Sequence, residues 1–189
     1  MANKKRTGLW ITLGIVGFIF VLLIGSLAFV ELTIKNLDSS LNEKQSQVVE
    51  AFEARSNALN NLTNMLKGKM SSETKVFTEL ENAEKELKTA IGIKALSDAN
   101  LKVDLAIDKL IFTMRDKYPY LQTIEELSDV TENIDSARSR IVMTSTGFND
   151  VAKDYNYAIQ NFPGDFLSNI FSHSETDVFQ IVDYDDITD

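Results

Sequence analysis

The chain has 189 residues, 44% of them hydrophobic and 25% charged, and a formal net charge of −9. That length has room for one membrane segment and one globular domain. It contains no cysteine, which excludes disulfides, thiolate metal sites, a Cys nucleophile and an acylated lipoprotein anchor. Lys4, Lys5 and Arg6 precede the first acid, so the remainder is more acidic than the whole and argues against nucleic acid as a partner.

Residues 1–8 form a basic N-terminal flank. Residues 9–30 then run without a charged side chain and would span about 33 Å as a helix, the thickness of a bilayer's hydrocarbon core. The spacing predicts a transmembrane helix with Trp10 near one interface. Ser26-Leu27-Ala28 would also suit a cleavable signal peptide, but the apolar run exceeds the usual stretch of about 7–15 residues. The positive-inside rule places the N-terminus in the cytoplasm and the rest outside.

From about residue 36 an amphipathic stripe begins, with Leu41, Val48, Phe52, Leu59, Leu62 and Leu66 on one face of a first bundle helix. Arg55 interrupts it and is expected to pack its stem while its head reaches water. Gly68 reads as a stop, and Ser71 or Ser72 as the next cap. A second helix is expected to run to about Ala95 through Phe77, Leu80, Leu87 and Ile91. A third, capped by Ser97 or Asp98, carries Leu101, Val103, Ile107, Leu110, Ile111 and Met114 and ends before Pro119. The fourth is marked by large residues every seven positions: Tyr120, Leu127, Ile134, Ile141, Phe148, Tyr155 and Phe162. Short connections favour antiparallel neighbours, so the expected fold is all-α: a transmembrane helix followed by an up-and-down four-helix bundle over residues 31–171. A rival arrangement fuses the first two bundle helices into one rod.

Pro163-Gly164-Asp165 ends the long helix, and Phe166, Leu167, Ile170 and Phe171 predict a short amphipathic segment folding back over the bundle. Residues 172–189 form an acidic tail. It either docks as an extended strip or stays disordered until it meets a partner, and its composition favours partial disorder.

No reaction is specified. A carboxylate-bridged di-metal site needs two Glu-x-x-His motifs, and His173 is the only histidine. Asp183, Asp185, Asp186 and Asp189 lack the central glycine and terminal glutamate of an EF-hand. There is no phosphate-binding Gly-Lys-Ser/Thr and no nucleophile elbow. No cofactor or metal is therefore expected. Asn61-Leu62-Thr63 is a formal glycosylation sequon inside a predicted helix. Arg140, Asn149 and Asn156 are polar residues beside the fourth helix's stripe. They read as register-fixing or ion-pairing residues, or else as converging with Tyr155 on one groove.

Tyr118-Pro119 with Leu121, Arg140-Ile141, Phe148-Asn149-Asp150, Tyr155-Asn156 and Phe162-Pro163 keep the order and spacing of motifs in the LemA family of bacterial membrane-anchored helical proteins, which the chain resembles. Arg55, Leu59, Asn61-Leu62 and Lys67-Gly68 extend the likeness more loosely upstream. The chain departs from the family pattern at Gln45, Ser56-Asn57 and Leu59-Asn60, where Trp, Tyr-Asp and Ile-Pro are usual, and at Arg138-Ser139, where Glu-Asn is. The resemblance implies an N-terminal anchor, a four-helix bundle and no established catalytic activity. It also implies a topology opposite to the charge rule, with the bundle in the cytoplasm. The expected function is a non-enzymatic bundle in the cytoplasmic membrane that presents an interaction surface to a protein partner. A sensory or ligand-binding four-helix module and an accessory factor of a membrane enzyme, such as a protease, are the alternatives.

Overall fold

The computed structural model describes the backbone of residues 2–181 and the side chains of residue 10 and residues 13–181. Among the described residues all regular structure is helical: α1 (Ala2–Lys67), α2 (Thr74–Thr89), α3 (Ile93–Lys117), a 3-10 turn (Pro119–Thr123), α4 (Glu125–Gln160) and α5 (Gly164–Phe171). The chain divides into two compact units. One joins α1 through Ser40 to Lys153–Glu175, and the other joins Leu41–Ala152 to the segment from Thr176 onward.

α1 is a single helix of 66 residues, so the apolar run and the first amphipathic stripe are not separate elements. No proline or turn signal interrupts the sequence between them, and backbone hydrogen bonding simply continues. Its apolar part reaches a mean hydropathy of 2.8 and none of that stretch is buried, so it is no core helix. The rod formed from the first two bundle helices does not occur. α1 stops at Lys67, where the Lys69 and Met70 N–H groups both bond the Leu66 carbonyl.

Within the second unit α1 to α4 form an up-and-down four-helix bundle. The surface ion pairs Lys102–Glu86, Lys109–Glu79 and Lys117–Glu73 set α2 antiparallel to α3. Such exposed pairs contribute little individually; the stability comes from the apolar faces. Phe77, Leu80, Val103, Ile107, Leu110, Leu127, Ile134, Ile141 and Phe148 are all buried. The stripe on α4 thus holds over its five middle members, Leu127 to Tyr155, while Tyr120 and Phe162 at its ends are exposed. Tyr120 lies in the 3-10 turn, where the Thr123 hydroxyl bonds its carbonyl at 2.7 Å, and the extended Ile124 separates that turn from α4.

The α2–α3 connection falls earlier than the sequence predicts. α2 ends at Thr89, and α3 begins at Ile93 behind Gly92, whose φ of 87° lies in the region glycine favours. Ile91 consequently points into solvent and is 92% exposed rather than in the core. Ser97 is not a cap but a buried residue inside α3. Ser72 does not cap α2 either; its hydroxyl shares a 2.8 Å hydrogen bond with the Tyr118 phenol.

In the first unit, α1 through Ser40 packs against the end of α4 and α5. Gly164 makes the turn into α5 feasible, because a Cβ there would stand 1.8 Å from the Ala158 carbonyl oxygen. Tyr155 is buried here, and that burial, followed by the Asp38 carboxylate, holds its phenol above the ordinary range.

Candidate functional site

The row of α1 next to its core stripe, which includes Val49 and Glu53 and ends on the short side chains Ser56, Asn57 and Asn60, faces the last turns of α2. Gln45, Ser56, Asn57 and Asn60 line one wall of a cleft of about 590 Å³, Glu84, Leu87 and Lys88 the other, and Leu96 and Phe52 supply apolar surface. Small side chains on α1 and the early end of α2 leave this space unfilled. Ile91 stands at its lip. Within it the Ser56 hydroxyl donates to Glu84 Oε1 at 2.8 Å. Amide groups beside apolar surface equip the cleft to hydrogen-bond a polypeptide backbone while receiving an apolar side chain. Among the described residues no group of three or more His, Cys, Asp or Glu is placed to hold a metal.

Phe52 also belongs to a second arrangement that the sequence did not disclose. The Phe179 ring meets Phe52 edge-on at 6.2 Å and Phe148 edge-on at 5.2 Å, and is 4% exposed. Asn149 clamps the backbone of Phe179: its Oδ1 accepts the Phe179 N–H and its Nδ2 donates to the Phe179 carbonyl, each at 2.8 Å. The Gln180 N–H donates to the Ser97 hydroxyl at 2.7 Å. The tail through Ile181 is therefore a docked extended strip and not a disordered segment. Hydrogen-bonded backbone and one deeply buried aromatic outweigh the acidic composition that suggested disorder. The acids at 183, 185, 186 and 189 lie outside the described residues.

A buried ionic centre joins α1, α3 and α4 behind Phe52. Arg55 Nη1 donates to Asp104 Oδ1 at 2.7 Å, with side-chain exposures of 1% and 3%. Arg138 Nη2 donates to the Asp104 carbonyl at 3.0 Å and to Asp108 Oδ1 at 2.6 Å, and Asn100 Nδ2 donates to Asp104 Oδ2 at 3.2 Å. The Arg55 head thus does not reach water. The stem-and-snorkel expectation fails because an acid on α3 meets the guanidinium inside the bundle. The Arg55 guanidinium also lies 5.7 Å from the Phe52 ring centre.

The four polar candidates on α4 have different surroundings. Asn149 is the tail clamp, Tyr155 is buried, Asn156 is half-buried and Arg140 is exposed. At about 100° per residue, Arg140 and Asn149 project from opposite sides of the helix. Of the motif residues, Leu121, Ile141, Phe148 and Asn149 are buried, while Asp150 and Phe162 are exposed. His173 Nε2 lies 3.3 Å from Glu31 Oε2 in the first unit, where it joins α1 to the end of α5.

An N-terminal helix long and apolar enough to cross a membrane, continuing into an up-and-down bundle, defines a membrane-associated helical-bundle protein. The chain belongs to the LemA family, whose sequence model matches residues 44–188. The match takes in all four bundle helices and the docked tail. A search of curated proteins returns no match.

Proposed function

We propose that the protein is a non-enzymatic, single-pass membrane anchor whose bundle docks a protein partner in the cleft between α1 and α2. The carrying observation is the wall of that cleft. Gln45, Ser56, Asn57 and Asn60 all line it, and with Leu87 and Leu96 they set amide and hydroxyl groups beside apolar surface. Bulkier residues there would fill the space. The exposed Ile91 at the lip adds apolar surface that a partner can cover. The partner can be a membrane enzyme that the bundle assists. A photo-crosslinking residue at Ile91 in native membranes is expected to capture one protein, and Asn57→Trp, which fills the cleft, is expected to abolish the adduct. An adduct that survives Asn57→Trp counts against docking in the cleft. A cleft of this volume also suits a small molecule, and loss of every protein adduct would favour that sensory reading.

The topology belongs to the same proposal. Lys4, Lys5 and Arg6 stand before the apolar run, whereas Glu31, Lys35 and Asp38 flank its far end with one cation among them. The charge rule then keeps the N-terminus in the cytoplasm of a bacterial cell and sends the bundle outside the cytoplasmic membrane. Ser174 is exposed and the chain has no native thiol. Ser174→Cys should react with a membrane-impermeant maleimide in cells whose outer barrier has been opened. Labelling only after lysis of the inner membrane would place the bundle in the cytoplasm.

A further inference from the structure

The first unit carries an apolar surface that neither the bundle core nor the cleft uses. α5 turns Gly164 and Leu167 inward, where both are buried. Phe166 and Ile170, four residues apart on one face of that helix, are 54% and 57% exposed, and Phe171 is 52% exposed. The position of this face relative to the apolar run is fixed by two contacts. His173 Nε2 lies 3.3 Å from Glu31 Oε2, and Lys35 Nζ lies 5.7 Å from the centre of the Phe171 ring. Glu31 is the first charged residue after the run, and Lys35 follows Val30 by little more than one helical turn, about 7.5 Å along the axis. The headgroup layer adds about 5–7 Å to each side of a bilayer's hydrocarbon core. Glu31 falls within that layer and Lys35 at its outer edge, so the C-terminal end of α5, at Phe171, stands level with the headgroups.

Burial along α1 leads to the same level. Residues 13–26 are exposed all round, whereas Leu27 and Val30 are half-covered and Ile34 is fully buried, a row with helical spacing. Protein packing thus starts inside the last turn of the apolar run. Phe29 and Leu32 at that level stay 71% and 57% exposed. Apolar surface in this position has no need of a protein to cover it.

We infer that α5 is an interfacial helix that lays Phe166, Ile170 and Phe171 into the boundary between lipid headgroups and acyl chains, with the Lys35 ammonium held among the headgroups. The inference rests on reading residues 9–30 as a membrane span. An apolar face beside a span, at headgroup depth, matches the geometry of helices that lie in the membrane plane. α5 carries one acid, Asp165, and no basic residue. Its attraction is therefore to the apolar boundary and not to anionic lipid.

The test uses the full chain in phosphatidylcholine vesicles, with Trp10→Phe removing the native fluorophore. Phe166→Trp then reports on α5 and, in a separate protein, Phe18→Trp reports on the span. The Phe166→Trp emission is expected to be quenched by lipids brominated near the headgroup end of the acyl chain, more weakly by lipids brominated deeper, and hardly by aqueous acrylamide. Phe18→Trp should show the opposite depth preference. Quenching of Phe166→Trp by acrylamide alone overturns the α5 assignment while the span stands. Protection from both quenchers overturns it in favour of a second copy or another protein. If Phe18→Trp is also unquenched by every brominated lipid, the span falls and the assignment falls with it.

Discussion

Asp104→Ala is expected to lower the stability of the bundle by about 3–5 kcal/mol, the usual cost of stranding one side of a buried ion pair. Its carboxylate accepts from Arg55 on α1 and from Asn100 on α3, and its Oδ1 lies 3.4 Å from Arg138 Nε. Alanine would remove the carboxylate that faces both buried guanidinium groups and leave the more exposed Asp108 and Asp135 beside Arg138. Asp104→Asn, which keeps the shape and one acceptor, should lose less. Arg55→Met combined with Asp104→Leu should recover part of the loss, since apolar side chains of similar volume often replace buried pairs without penalty. Urea melts of the full chain in detergent provide the measurement. A change below about 1 kcal/mol, the scale of an exposed pair, would show that water reaches the centre.

Phe179→Ala is expected to cost about 3 kcal/mol, the lower end for truncating a buried aromatic ring, because the strip can detach and so limit the damage. A sharper signature is local. The Phe179 and Gln180 amides, held by Asn149 and Ser97, should lose their protection from hydrogen exchange while amides in the middle of α3 keep theirs. Asn149→Ala should release the same two amides with the aromatic ring left intact. Retained protection in both variants would mean that the strip is held by something other than the ring and the clamp.

Much of the fold was written in periodicity. The seven-residue row and the charge-free run at the N-terminus each point to one helix; the structure keeps the first from Leu127 to Tyr155 in α4 and carries the second on into the amphipathic stripe of α1. Helix ends were harder to place, because Gly92 breaks the chain where the apolar pattern runs on through Ile91. Arg55 was legible in principle: it falls on the row Leu41, Val48 and Leu62 at seven-residue steps, so its burial follows from register. Its partner was not, since nothing along the chain shows that Asp104 faces it across the bundle. The tail was the least legible. A single aromatic in an acidic stretch reads as disorder until Phe52, Phe148 and Asn149 are seen to meet around it, and those contacts join residues far apart in sequence. The cleft was not legible, since only the packing of α1 on α2 brings Gln45, Ser56, Asn57 and Asn60 to one place with Glu84 and Leu87.

The position of Phe179 also affects how the protein is made. Synthesis delivers α1 first and the aromatic plug after all the described helices, so the last described piece of the bundle core leaves the ribosome behind the helices it seals. Until residue 179 emerges, Phe52 and Phe148 lack the ring that covers them, and a chain interrupted before that point carries complete helices around an open seam.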